Sequence, residues 1–295
     1  MRKRILVAVS LLALGGVGYA LAAGTTVTLT GGGPRPEVVT VNWGDTVTFA
    51  NSDNKVHGVT IPRIRVESPA IAAGAAYEHV FDGRSGNYLF RQTGGGPSFN
   101  GTVLVDLNGT VSLAASATLI DYGRSLQLSG TSPYPGTPVK VAQRPPGSGG
   151  TWVAVSTTTA AADGSFSVTV EPKMGARYRA QVAADQLSSE PVLIAVRPLL
   201  RITTTARRTK TGRRITIIGR VTPARAATSI DLEIHDARRR RWFPQARARV
   251  GANGRVTFKW AARKGTSRLR IAAKPVGLEG GWSPAASSFV TVTGV

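Results

Sequence analysis

From Thr25 to Asp106 the chain reads as short stretches in which apolar residues alternate with polar ones, separated by Gly-, Asn- and Asp-containing turns. This period of two predicts strands, because successive side chains in a strand point to opposite faces. Seven are expected: Val27 to Leu29, Glu37 to Val41, Thr46 to Phe49, Gly58 to Ile61, Tyr77 to Phe81, Tyr88 to Gln92 and Thr102 to Val105. That density suggests a sandwich or barrel with Greek-key connections.

The remainder predicts two more units, because it contains an internal repeat. Gly123 and Gly212 precede the first core strand of each copy, Gly130 and Gly219 end it, and both pairs are 89 residues apart. Trp152 matches Trp242 and Gly164 matches Gly254, each 90 apart. The alternating Phe166, Val168 and Val170 answer Val256, Phe258 and Trp260, and Tyr178-Arg179-Ala180 answers Leu269-Arg270-Ile271. Ser189-Glu190-Pro191 roughly answers Ser283-Pro284. A repeat this long is too large for a solenoid unit and fits one β-sandwich per copy. The expected fold is therefore all-β, with three tandem sandwiches over 24–106, 107–197 and 198–295. Leu107-Asn108-Gly109 and Val196-Arg197-Pro198 are the expected boundaries.

The first 23 residues fit none of these units. Arg2, Lys3 and Arg4 precede an apolar stretch from Ile5 to Leu14, then glycines and the small-residue pattern Ala20-Leu21-Ala22. This order predicts a secretory signal peptide over 1–23, with an uncleaved membrane anchor as the alternative. No later stretch is long and apolar enough to span a bilayer. The expected location is therefore outside the cytoplasm: extracellular, cell-surface or periplasmic. The chain has no cysteine, so it uses no disulfides and offers no thiolate to a metal.

Charge is uneven. Residues 24–106 carry a net −1, residues 107–197 a net +2, and residues 198–295 a net +17. The densest run is Arg238, Arg239, Arg240 and Arg241, followed by Trp242 and Phe243, at the expected position of a hairpin turn. Such a cluster can hold phosphates, since the guanidinium fork suits bidentate contacts. For an exported chain the expected partners are anionic envelope polymers, lipid headgroups or other polyanions. A solvated charged face is the alternative. No DNA-binding motif is present, so no sequence-specific nucleic-acid partner is expected.

The segment Val39 to Asp53, with its Gly44-Asp45 turn and Asn51, resembles the first half of the cupredoxin family. His57 stands where that family's first copper-binding histidine would be. Phe81-Asp82, Gly86-Asn87-Tyr88 and Gly101 to Val105 resemble the second half. The resemblance implies a Greek-key sandwich over 25–106. Carried across by position, it places Gln92 at the copper-binding cysteine, Gly95 at the second histidine and Phe99 at the axial methionine. A blue-copper centre needs two imidazoles and a thiolate in a trigonal set. Of the four positions only His57 retains its ligand, so no copper or other cofactor is expected.

A different metal arrangement is open: His57 with His79, joined by an oxygen of Asp53 or Glu78. For His79 and for His235, beside Asp236, the plainer expectation is a strand residue in the sheet. Gly94-Gly95-Gly96-Pro97 lacks the following helix and Lys-Ser/Thr pair of a phosphate-cradling loop. No G-x-S-x-G elbow or H-E-x-x-H pair occurs, so no enzyme is expected. The leading expectation is a secreted or cell-surface modular protein, serving adhesion, envelope association or ligand presentation. The two repeats resemble, loosely, bacterial immunoglobulin-like or fibronectin-like modules. The alternative that the family resemblance itself implies is a copper-binding electron-transfer protein.

Overall fold

The computed structural model describes residues 24–95, 97–227, 229–273 and 281–295. The expected signal segment lies outside them. The regular structure of the described chain is almost all strand, broken only by two short 3-10 turns, and its six sheets fall into three pairs along the sequence.

The first pair uses nine strands: β1 (Thr25–Thr30), β2 (Gly33–Arg35), β3 (Val38–Asn42), β4 (Thr46–Asn51), β5 (Gly58–Ile61), β6 (Val66–Glu67), β7 (Ala76–Val80), β8 (Gly86–Thr93) and β9 (Phe99–Asp106). All seven expected strands are there, with the short β2 and β6 added. One sheet runs β2-β1-β4-β7 and the other β3-β9-β8-β5-β6. β1 lies parallel to β4 and β3 parallel to β9, so these neighbours are reached by crossovers and not hairpins. Alternation does what the sequence predicts. In β4, Val47, Phe49 and Asn51 are buried while Thr46, Thr48 and Ala50 are half-exposed. Phe49 meets Phe90 of the facing sheet edge-on at 5.0 Å, the geometry that ring quadrupoles favour.

The second unit contains β10 (Ala114–Ala115), β11 (Leu119–Asp121), β12 (Leu126–Thr131), β13 (Pro138–Arg144), β14 (Val153–Thr159), β15 (Ser165–Val170), β16 (Ala176–Val182), β17 (Leu187–Ser188) and β18 (Val192–Arg197). The third contains β19 (Leu199–Thr204), β20 (Arg208–Thr209), β21 (Arg214–Thr222), β22 (Ser229–Asp236), β23 (Arg241–Arg249), β24 (Arg255–Ala261), β25 (Gly265–Ala273), β26 (Ala285–Ala286) and β27 (Val290–Gly294). Their orders are β10-β12-β15 with β11-β18-β16-β13-β14, and β19-β21-β24 with β20-β27-β25-β22-β23. Strand for strand these are the same, which gives the sequence repeat its structural meaning.

One element of the repeat is corrected. The residue equivalent to Ser189 is Ser287, not Ser283. Ser189 Oγ accepts the amide of Ala180 at 3.0 Å and donates to Glu190 O at 3.0 Å. Ser287 Oγ accepts the amide of Ile271 at 3.1 Å and donates to Ser288 O. Ser68 in the first unit does likewise with Val59 and Pro69, both at 2.9 Å. In each unit the hydroxyl stands in for a strand carbonyl and continues the pairing of a two-residue strand with its neighbour, where an unpaired amide would otherwise remain.

Neighbouring units touch. Trp43 packs on Tyr134 with ring centroids 5.0 Å apart, and Tyr134 Oη accepts the amide of Asn108 at 3.1 Å. Gln186 binds Ser85 and Gly83 across the same junction. Between the second and third units, Tyr122 meets Trp282 at 5.9 Å and the Ser283 amide donates to Val196 O.

Candidate functional site

Asn51, at the end of β4, shapes the loop that carries His57. Its Nδ2 donates to Lys55 O and Ile71 O, both at 2.8 Å, and its Oδ1 accepts the amide of Asp53 at 2.9 Å. His57 then pairs its own amide and carbonyl with Ile71. The imidazole that results is buried, 2 % exposed, and both ring nitrogens are engaged. Nε2 lies 2.9 Å from Asp53 Oδ2, and Nδ1 lies 3.3 Å from Gln92 Nε2.

The hydrogen-bond inventory fixes the tautomer. Gln92 Nε2 also donates to Thr30 O at 2.6 Å, which orients the carboxamide with its NH2 toward Nδ1. Facing a donor, Nδ1 must accept, so the proton sits on Nε2 and is given to Asp53. That bond, followed by the Asn54 amide, holds the Asp53 carboxyl below its ordinary range. Gln92 Oε1 is buried with no hydrogen-bond partner among the described residues. Gly95 closes the group from above. Its φ is +68°, and a Cβ there would stand 2.9 Å from His57 Nδ1 and closer still to Cε1.

Three of the four ligand positions carried over from the resemblance thus converge. Phe99 lies opposite Gln92 in the β8–β9 register and packs on Gly33. As a copper site the set does not fit. The imidazole nitrogen beside Gln92 faces an amide N–H, the other nitrogen is bonded to Asp53, and His57 itself fills the space above Gly95. No thiolate or second imidazole stands here. The role of Gln92 as a clamp on the ring was not read from the sequence, which only placed it at the position of the copper-binding cysteine. Asp53 was weighed as an oxygen ligand and instead orients His57; its four-residue offset was the available signal.

His79 is not joined to this group. It sits on β7 between Tyr77, 6.5 Å away, and Phe81, which meets it edge-on at 4.9 Å. Burial pushes its pKa down, with Asp82 partly opposing. Among the described residues no three His, Asp or Glu side chains cluster in a metal-binding arrangement.

The basic run lies at the tip of the β22–β23 hairpin. Asp236 Oδ1 accepts the amides of Arg238 and Arg239 at 2.9 and 3.0 Å, and Arg240 takes a left-handed φ of 53° to complete the turn. Those amides and the neighbouring guanidiniums hold the Asp236 carboxyl low. Trp242 opposes His235 and carries Arg270 over its ring at 4.3 Å, while Arg270 Nε donates to Glu233 at 2.7 Å. Arg239 lies over Phe243 at 5.6 Å and Arg268 over the half-exposed Phe289 at 5.2 Å. Arg268, Arg270 and Phe289 belong to this surface although the linear run did not include them. Their alternation along β25 and beside β27 brings them there.

No family model matches the chain, and no curated protein matches it. Among solved structures, two copper(I) forms of amicyanin variants are similar. One is 22 % identical and covers 28 % of this chain and 83 % of that chain, with a TM-score of 0.25. The other is 23 % identical and covers 28 % and 82 %, with a TM-score of 0.26. With scores this low, the architecture of residues 25–106 is read from its own strand order. Among the described residues no helix is long and apolar enough to cross a membrane.

Proposed function

We propose that the chain is an exported, non-enzymatic modular protein that uses its first unit as a metal-free binding or spacing module. The observation that supports this is the engagement of His57: both ring nitrogens are occupied by Asp53 and Gln92. A copper ion would have to displace one of these bonds and would gain only a single imidazole and a neutral carboxamide, a poor set beside the trigonal thiolate–imidazole site. Titration of the full chain with copper(II) is expected to give no intense visible charge-transfer band and no tight one-to-one complex. A blue, stoichiometric site would overturn the proposal in favour of electron transfer.

A second activity, retention of anionic envelope polymers by the third unit, is favoured by the guanidiniums seated on aromatic rings at Trp242, Phe243 and Phe289. Stacking restricts an arginine's rotamers, so less freedom is lost when it binds an anion. Replacing Arg238, Arg239, Arg240 and Arg241 by Gln in the full chain is expected to lower markedly the salt needed to elute it from heparin. Unchanged elution would reduce the cluster to a solvated surface.

A further inference from the structure

The second unit carries three arginines on one sheet face with no described side chain of opposite charge to meet them. Arg144, at the end of β13, stands directly opposite Arg177 in the β13–β16 register, and Arg179 follows two residues along the same face. Like charges placed opposite each other across a sheet are destabilising. None of the three guanidiniums makes a hydrogen bond or ion pair to a described side chain, and Arg179 Nε is buried without a partner among the described residues. Trp152 holds two of them in place, with Arg179 over its ring at 4.3 Å and Arg144 at 5.0 Å.

The third unit shows what is missing. There the equivalent arginine, Arg270, sits on the equivalent Trp242 at the same 4.3 Å, and its Nε is satisfied by Glu233. Glu233 opposes Arg270 in register, whereas the residue opposing Arg179 is Ala142. The second unit has kept the stacked cation and lacks the carboxylate.

Beside this face lies a cavity of about 330 Å³, walled by Arg144, Arg177, Leu193 and the loop Pro145 to Gly150. Gly147, Gly149 and Gly150 have left-handed φ, and open space surrounds the position a Cβ would take at each, so the loop backbone is uncovered. Ser148 Oγ, in the same loop, is buried without a partner among the described residues.

We propose that this cavity is a binding site for a phosphate-bearing small molecule, its anion held by Arg144 and Arg177 with Ser148 and the loop amides. A phosphate monoester suits the site better than a carboxylate. It carries close to two negative charges and three strong acceptor oxygens, against the two guanidiniums and the hydroxyl that line the cavity. Uncovered backbone turned through left-handed residues is a recurrent anion seat.

The test uses thermal denaturation and calorimetry of the full chain with inorganic phosphate and glucose 6-phosphate, against chloride at equal ionic strength. Both phosphates are expected to bind saturably at one site and to raise the melting transition of the second unit by about 2–4 °C. Arg177→Gln is expected to weaken binding by about tenfold or more. It should also raise the melting temperature without ligand by about 1–3 °C, because it removes the repulsion from Arg144. A purely structural arginine would move the second quantity the other way. Ser148→Ala should weaken binding without that rise, and Arg124→Gln, an equal charge change elsewhere in the unit, should do neither. Phosphate protection equal to that of chloride, or equal in the Arg177 variant, would overturn the site. Tighter binding of glucuronate than of phosphate would overturn the ligand class.

Discussion

Gly95→Ala is expected to destabilise the first unit by about 3 kcal/mol. Two costs act together. A left-handed φ of +68° costs a non-glycine residue roughly 1–2 kcal/mol. The new methyl also collides with the His57 ring, and inserting a methyl into a packed site costs about 1–3 kcal/mol. The ring cannot simply retreat, since moving it breaks the bonds to Asp53 and Gln92. Denaturant unfolding monitored by near-ultraviolet signals of the first unit would measure the loss. The same substitution in a His57→Ala background should cost only the backbone share, because the ring is gone. An undiminished penalty there would mean that the packing of glycine on imidazole is not what constrains position 95.

The second large effect separates two glycines that the repeat treats as equivalent. Gly130→Ala is expected to cost about 3 kcal/mol, whereas Gly219→Ala should fall within about 1 kcal/mol of neutral. At Gly130 an added Cβ would run into the carbonyl of Ser112, and Phe166 Cζ would be 2.7 Å away. A backbone carbonyl cannot rotate aside, so the chain just before β10 would have to move off β12 and give up the Ser112 amide bond to Thr131 O. At Gly219 the nearest atoms are Val256 Cγ1 at 2.6 Å and Ile271 Cδ1 at 2.8 Å. Side-chain ends can re-rotamer, and alanine reduces the freedom of the unfolded chain by about 0.4–1 kcal/mol, which offsets part of the strain. Equal losses at the two positions, measured by calorimetry on the two transitions, would contradict this account.

The pattern of the fold was legible because alternation is a local signal. Val47 and Phe49 on β4, or Val103 and Val105 on β9, announce their face without reference to any partner. The two short strands β6 and β26 were not legible, since each rests on a serine hydroxyl whose target lies on another strand. The repeat was visible in its glycines and tryptophans, but the match of Ser189 to Ser287 was not. The chain between β25 and β26 differs in length from its counterpart, so spacing misleads there.

At the site, the sequence placed the right residues together and described their chemistry incompletely. His57, Gln92 and Gly95 meet because a shared frame fixes their positions. What the frame does not specify is that a carboxamide, once it donates to Thr30 O, must present an N–H to the ring. Hydrogen-bond direction depends on a backbone oxygen 62 residues away in sequence, and no spacing rule encodes it. The stacked arginines were hidden for a similar reason. Arg179 and Arg270 are ordinary alternating strand residues until Trp152 and Trp242 are seen to lie over them.

The metal-free character of the first unit turns on the state of the His57 ring. Nitrogen-15 NMR of the full chain, labelled at histidine, reads that state directly, before and after one equivalent of copper(I). The account predicts a proton on Nε2 and an unprotonated, hydrogen-bonded Nδ1, with both resonances unmoved by the metal. A stoichiometric shift of either nitrogen on adding copper(I), or a proton found on Nδ1 in its absence, would contradict it.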